Sequence, residues 1–470
     1  MAQHLACDVL IAGGGMAGLC ASISALETGA RVLTIEKGNR SGGSMRLSGG
    51  LIWTFHDKEQ LHREIPDGNR PLQDLVVDEL QPGLDWLAAQ GVRLSENRPF
   101  MWYGRGRHVD PAMLSTVLVE RLQALGGTFL LNTSLEGLLG SCERISGVRA
   151  HGSDGMLEIE VGAVVLATGG FQGNAELLAR YVTPHADRMY LRANPWSTGD
   201  GLLAAQQIGA AVTPGLGFFY GHALAAPPTR FTARDFLEVT QRYGPIAVAL
   251  NLEGRRFVDE SAGTGEESLN QAVARQTGAT AAYVVDDVIA GTSYQGAAVP
   301  RAAIARVLER GGPVVEAGSL EELCDGLAGW GFHAANALET LHGYNAAVTQ
   351  ADTVGLFPPR GGNRYPLATP PFSAVLVRAA ITFTCGGLDV DQEMRVLHRS
   401  ASSSVLPLAI AEPAELVARP IPGLYAAGCD AGYISNRGYM GGLATALVTG
   451  RIAGRAAAMQ SVRPAATTSQ

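Results

Sequence analysis

No two of the six cysteines stand in a CxxC pair, and no His-rich stretch accompanies them. Cys7, Cys20, Cys142, Cys324, Cys385 and Cys429 are scattered along 470 residues. This spacing argues against a disulfide frame and a metal site, and it reads as reduced core thiols. A basic run is missing as well. The net charge is −8, so nucleic acid is not an expected partner. No apolar stretch reaches the roughly 18 residues that a membrane-crossing helix needs. The opening MAQHLACDV carries neither a charged n-region nor an apolar h-region, so a cytoplasmic protein is the expectation.

What is present describes a well-cored globular chain. Apolar residues make up 46% and charged residues 17%, and the 59 glycines suit many tight turns between strands and helices. The length exceeds the usual domain of roughly 100–200 residues, so two domains, or one with a large insertion, are expected.

The most informative stretch runs from Cys7 to Gly50. An apolar run, Val9-Leu10-Ile11, is followed by Gly13, Gly15 and Gly18. Met16, Leu19, Ile23 and Leu26 then recur at helical spacing, and a second apolar run, Val32 to Ile35, ends in Glu36. Strand, tight turn, helix, strand and acid at this spacing predict a dinucleotide-binding unit. Gly13 allows the turn, Gly15 lets the backbone approach a pyrophosphate, and Gly18 lets the helix pack close. The helix start at Met16 and Ala17 offers free N–H groups to phosphates. Glu36 stands where a carboxylate accepts hydrogen bonds from ribose hydroxyls, and it would repel a 2′-phosphate.

Two Gly-Gly pairs follow, Gly42-Gly43 and Gly49-Gly50, with Lys37, Ser44 and Ser48 around them. They predict backbone laid against a flat ligand. This segment resembles flavoproteins of the fumarate reductase and succinate dehydrogenase group, which includes the 3-ketosteroid dehydrogenases. The resemblance implies FAD. Covalent members bond the flavin through a His in this loop, whereas Ser44 and Met45 stand here, so the implied attachment is non-covalent. Later segments extend the resemblance. An apolar strand ends in Ala167-Thr168-Gly169, Asp200 lies in TGDG before a helix, and Gly428 and Asp430 follow the last strand. Gly442, Leu443 and Ala444 open a final helix whose N-terminus is implied to face the flavin. All these positions are the implied FAD-binding set.

The implied fold is α/β with an α+β cap: a Rossmann-like FAD-binding domain carrying an inserted substrate-binding domain. The expected boundaries are 1–215 and 366–460 for the FAD-binding domain, 216–365 for the cap, and 461–470 for a flexible tail. Residues 70–126 read as mostly helical around a loop at 101–108, which is either a pocket wall or a surface crossover. Residues 127–165 read as strands.

For the chemistry, the resemblance gives partial guidance. Fumarate reductases follow an acid with two arginines that deliver a proton; after Glu260 those positions hold Gly263 and Ala290, which argues against that relay. Thr264 stands where ketosteroid dehydrogenases carry a catalytic Tyr. Phe383 stands where fumarate reductases begin with a substrate-binding His, and FTCGG is closer to the tricarballylate dehydrogenase branch. Arg437-Gly438-Tyr439 matches an Arg-x-Tyr of the ketosteroid dehydrogenases, whose Tyr hydroxyl and a backbone N–H hold the ketone oxygen. The expected catalytic set is therefore Tyr439, Glu260 and Arg437, with Glu260 alternatively a buttress of the cap. Expected substrate contacts are Trp53, Tyr103, Phe383 and Gly442, with Trp53 alternatively a core aromatic. Tyr103, His222, Tyr243 and Glu260 are the candidates for the base.

The leading expectation is an FAD-dependent dehydrogenase that introduces a C=C bond α,β to the ketone of a cyclic or steroid-like substrate, with hydride passing to flavin N5. A tricarballylate-dehydrogenase-like enzyme acting on a carboxylate, or an enoate reductase running in reverse, is the alternative. A flavin-binding module without catalysis is a third reading. No haem-attachment motif is present, so an external electron acceptor is expected beside the small-molecule carbonyl substrate.

Overall fold

The first apolar run becomes the central strand of the larger sheet. In the computed structural model, Gln3–Ala12 pairs in parallel with Val32–Ile35 on one side and with Gly155–Leu166 on the other. Val9, Leu10 and Ile11 are fully buried. A parallel strand covered on both faces needs such an unbroken apolar run rather than alternation. The structure describes residues 3–101, 103–295, 299–350, 356–399 and 418–461.

Among the described residues eight strands form this sheet, and segments from both ends of the chain meet in it. Thr128–Leu130 extends one edge, while Ala418–Ala426 joins Gly155–Leu166 in parallel and Arg395–Arg399 follows it. Ala12 lies opposite Ile35 and Leu166, and Leu166 lies opposite Ala426. Four strands thus stop at one level. The residues after them, Gly13, Glu36, Ala167 and Ala427, share one rim, where ligands of such sheets bind.

The helices Met16–Glu27 and Gly442–Ser461 run side by side against this sheet. A Cβ at Gly450 would lie 2.3 Å from the Ala17 carbonyl oxygen, and one at Gly454 would lie 2.1 Å from that of Ala21. The two backbones therefore touch, in the same direction, and both helix N-termini point to the rim. Gly13 has φ +118°, and a Cβ there would meet the Ala167 oxygen at 2.1 Å, so no other residue fits this turn.

A second, antiparallel sheet holds Leu224–Ala225, Val248–Leu250, Thr280–Val285, Val314–Ala317 and Phe372–Arg378. The last of these strands lies beyond residue 365, in the stretch the sequence assigns to the returning FAD-binding part. Its apolar run hydrogen-bonds along Thr280–Val285, which holds it in the cap sheet. Residues 70–126 include two helices, Arg70–Ala89 and Pro111–Ala124, but the crossover between them is not only loop. Gly104–His108 pairs with Leu51–Phe55 on one side and with Arg98–Phe100 on the other, in a three-stranded antiparallel sheet. Gly106 permits this, because a Cβ there would meet that of Trp53 at 2.4 Å. Trp102, and residues 462–470 of the expected tail, lie outside the described residues.

The cap is knotted around Glu260, which is fully buried. Its carboxylate accepts from Arg256 at 2.6 and 2.8 Å and from the Ala249 N–H at 3.1 Å. Arg360 lies 3.6 Å away and donates to the carbonyls of Ala247 and Pro245. Both guanidinium groups lie 5.5 Å from the ring centre of Tyr344. No described helix is long and apolar enough to cross a membrane. Among the described residues no cluster of His, Cys, Asp or Glu could hold a metal ion.

Removing the acid would strand two buried cations. Glu260→Ala is expected to lower the unfolding free energy by about 3–5 kcal/mol, measured by denaturant titration of the full chain. An unchanged midpoint would contradict the buttress role.

Candidate active site

The rim opens into one long cleft with about 1420 Å³ of empty space, the solvent at its opening included. At one end the helix Met16–Glu27 begins at Gly15 with no side chain capping it. Its first N–H groups are therefore free for an anion. A Cβ at Gly15 would meet nothing within 4 Å, so the space in front of the turn is open. Gly13, Gly15, Met16 and Ala17 line the cleft. Gly18 does not; it packs the helix on the turn, where a Cβ would lie 1.8 Å from the Gly13 oxygen.

Glu36 lines the same end, with its carboxylate fixed by the N–H groups of Gly14 at 2.7 Å and Gly38 at 2.6 Å. Lys37 donates to Thr198 at 2.6 Å and to Asp200 at 2.9 Å, and both Lys37 and Asp200 face the cleft. Gly43, Ser44, Ser48 and Gly49 follow along one wall. Gly50 lies behind it at φ +74°, against the Val109 carbonyl.

The opposite wall carries Ala167, Thr168, Gly169 and Gly428, and further along Gly442 and Leu443. Ala444 is fully buried beneath them. Asp430 is buried too and does not line the cleft. Its carboxylate accepts from the backbone and hydroxyl of Thr168 and from the Gly170 N–H, so it buckles two of the glycine-rich segments together. Burial raises its pKa, against those hydrogen bonds. An uncapped helix start, open space before it, a fixed carboxylate and glycine-lined walls fit a dinucleotide with a flat ring system.

The other end of the cleft is aromatic. Tyr439, Phe383 and Gly442 line it. Tyr220 stacks on Tyr439 with ring centres 3.9 Å apart and planes at 16°, and it lies 5.0 Å from Phe383. Burial lifts the Tyr439 pKa, opposed by the Gly442 backbone and the Trp53 side chain.

Several residues expected here lie elsewhere. Trp53 is 1% exposed and packs behind Tyr439 at 5.4 Å, without lining the cleft. Tyr103 stacks on Phe55 in the same buried cluster, and its hydroxyl donates to the Met101 sulfur at 2.7 Å. This cluster braces Tyr439 from the rear. Arg437 is exposed, over the Phe218 ring at 5.7 Å, and Glu260 sits in the cap interior; neither lines the cleft. Tyr243 is buried against Tyr283 and is also away from the cleft. His222 stands just behind the wall, 3.2 Å from the Tyr220 hydroxyl.

Among the lining residues that the sequence did not single out are Arg192, Tyr220 and Arg242. Arg192 is only 6% exposed. It donates to the His222 carbonyl at 3.4 Å, and its guanidinium lies 4.8 Å from the Phe236 ring centre. Among the described residues no carboxylate comes within ion-pair distance of it, and its Nε has no partner. Burial lowers its pKa to about 10, which still leaves it charged at neutral pH. Arg242 faces the same space from the mouth. In the sequence Arg192 follows a two-residue strand with no motif around it. Tyr220 carried a weak signal, since it stands two residues from His222 in a Gly-rich segment.

The family described as FAD binding domain matches residues 8–443. A probable fumarate reductase, Ifc3, of Shewanella frigidimarina is 26% identical over 97% of this chain and 75% of its own length. An NADH:fumarate oxidoreductase of Klebsiella pneumoniae is 27% identical over 97% of this chain, which spans 48% of that protein. A solved 3-ketosteroid Δ1-dehydrogenase from Sterolibacterium denitrificans has a TM-score of 0.71 at 18% identity, covering 97% of this chain and 99% of that one. At that identity the likeness shows the fold, a Rossmann-like FAD-binding domain with its cap. The chain belongs to the FAD binding domain family and is an FAD-dependent oxidoreductase acting on carbon–carbon single and double bonds.

Proposed function

We propose that the protein interconverts CH–CH and CH=CH next to the carboxylate of a flat, ring-bearing substrate. This is the carboxylate alternative of the sequence reading, and Arg192 moves it ahead of the ketone. A buried guanidinium without an acidic partner is costly unless an anion completes it. Its place beside Tyr220, Tyr439 and Phe383 supports a substrate with an aromatic or planar body and an anionic end. Arg242 at the mouth would draw such an anion in.

FAD, when bound, supplies the hydride chemistry at the carbon β to the carbonyl. The side chains do the rest. Arg192 orients the carboxylate with charge-assisted hydrogen bonds. Phe383 and the stacked pair of Tyr220 and Tyr439 hold the planar body and exclude water. Tyr439 stays protonated at neutral pH, so its hydroxyl can donate to a carbonyl oxygen. Electrons enter or leave through an external partner.

The neutral ketone remains a second reading. Tyr439 in the cleft lining supports it, since a protonated hydroxyl is a donor of the kind an enolate oxygen needs.

Two variants separate the readings. The FAD-loaded protein is assayed with cinnamate, driven by reduced methyl viologen, and with 2-cyclohexenone in parallel. Arg192→Met is expected to raise KM for cinnamate roughly 10–100-fold, the equivalent of about 1.5–3 kcal/mol for a hydrogen bond to a charged group. The cyclohexenone rate should stay unchanged. Equal activity of the variant and the parent on cinnamate would sink the carboxylate reading. Tyr439→Phe is expected to cost about 100-fold or more in kcat on whichever carbonyl this hydroxyl serves, as removal of one oxyanion donor does. A large loss on cyclohexenone with little change on cinnamate would restore the ketone to first place.

A further inference from the structure

Behind the aromatic end of the cleft lies a chain of buried polar groups that the substrate contacts do not use. The Tyr220 hydroxyl lies 3.2 Å from His222 Nε2, and His222 Nδ1 lies 3.1 Å from Glu266 Oε2. Glu266 is 1% exposed and also accepts from the Tyr283 hydroxyl at 2.6 Å and from the Ala223 N–H at 3.1 Å. Only Tyr220, at one end, lines the cleft. Resting on the reading above, we propose that Tyr220, His222 and Glu266 form a proton relay for the α-carbon of the substrate. Tyr220 is the catalytic acid or base, and His222 and Glu266 are the relay and the proton store behind it.

The step balances within these three residues, and the proton that leaves or reaches Glu266 is exchanged with solvent between turnovers. In the reducing direction the Tyr220 hydroxyl gives its proton to the α-carbon, whose electron pair forms the new C–H bond. The Tyr220 oxygen takes the Nε2 proton of neutral His222. His222 Nδ1 takes the proton of the Glu266 carboxyl group, which is left as a carboxylate. His222 remains neutral throughout and changes only its tautomer. Desaturation is the same sequence reversed, ending with the proton on Glu266. In both directions the β-carbon hydride is exchanged by the established flavin chemistry.

The surroundings suit each state. Burial pushes the Glu266 pKa well above the usual carboxylate value, with Glu267 adding to the rise and Tyr283, Ala223 and Arg192 opposing it. The carboxyl can therefore hold a proton at neutral pH, and Tyr283 and Ala223 stand ready to stabilise the carboxylate once it leaves. Burial, helped by Arg192 and Arg242, keeps the His222 pKa well below its ordinary value, so the ring is neutral. Burial, Tyr439 and Glu267 keep Tyr220 protonated against Arg192 and Arg242. Glu267 lies 3.7 Å from His222 Nε2 on the same helix start as Glu266.

The proposal is tested in two ways on the full FAD-loaded chain. The first uses no substrate. Infrared difference spectra at pH 7 between the parent and Glu266→Gln should show the C=O stretch of a protonated buried carboxyl group, and that band should persist in Glu267→Gln. Its absence overturns the proposal. The second uses cinnamate and 3-phenylpropanoate with viologen and indophenol dyes. Tyr220→Phe and Glu266→Gln should each lower kcat about 100-fold or more, as loss of a general acid does, with KM within about threefold. They should also lose the solvent deuterium isotope effect on turnover. Unchanged kcat in the Tyr220 variant, which alters only the cleft wall, overturns the relay even if the Glu266 variant misfolds. Should the parent turn over neither acid, the carboxylate reading falls, and the infrared band alone decides the relay.

Discussion

Everything functional in this protein depends on four parallel strands stopping at the same level. Their register puts Gly13, Glu36, Ala167 and Ala427 on one rim, although these residues come from the two ends of the chain. A slip of one residue would turn each apolar side chain to the other face of the sheet. It would also pull the helix start at Met16 away from the glycine wall. The backbone contact between the helices Met16–Glu27 and Gly442–Ser461 locks that arrangement from below, because Gly450 and Gly454 admit no side chain. Asp430 locks it from the side by binding Thr168 and Gly170. The nucleotide end is thus built mostly from backbone, and a dinucleotide meets N–H groups rather than flexible side chains.

The cap treats charge in two opposite ways. Around Glu260 the buried ions are paired and hydrogen-bonded: one acid, two guanidinium groups, an aromatic ring and several carbonyls. Such a cluster contributes position more than stability, since desolvation offsets most of its attraction. Arg192 is the contrasting case. It is as deeply buried, yet it faces empty space with an unpartnered Nε. The first arrangement holds the cap's shape, and the second is completed only by something that enters the cleft. This contrast separates a structural ion cluster from a binding one without reference to any relative.

The nucleotide end was legible in the sequence because its physics is local. Gly13, Gly15 and Glu36 stand within one strand–turn–helix–strand unit, where spacing alone dictates geometry. The fold class followed from that unit and from the resemblance of the later glycine segments. The substrate end was not legible in the same way. Arg192 and Tyr220 reach Phe383 through the paired two-residue strands Tyr190–Leu191 with Ala380–Ile381 and Phe219–Tyr220 with Phe383–Thr384, and Tyr439 was named only through the family resemblance. No periodicity marks a strand of two residues. Trp53 and Tyr103 misled for the opposite reason: an aromatic near a glycine-containing turn suits a cleft wall and a core equally, and burial decides between them only in three dimensions. Glu260 carried both readings in the sequence, and Arg256, four residues before it, was the local sign of a buttress.

The two halves of the substrate end are coupled through charge. Arg192 opposes proton retention on both Glu266 and His222. An anion bound to Arg192 offsets that positive charge and adds a negative one near the relay. Both changes favour the protonated form of Glu266. The proton store is therefore filled most firmly while a carboxylate occupies the cleft, and it relaxes when the cleft is empty. Within the carboxylate reading, one guanidinium without an acidic partner, set beside a buried acid, thus ties the protonation of Glu266 to the occupancy of the cleft.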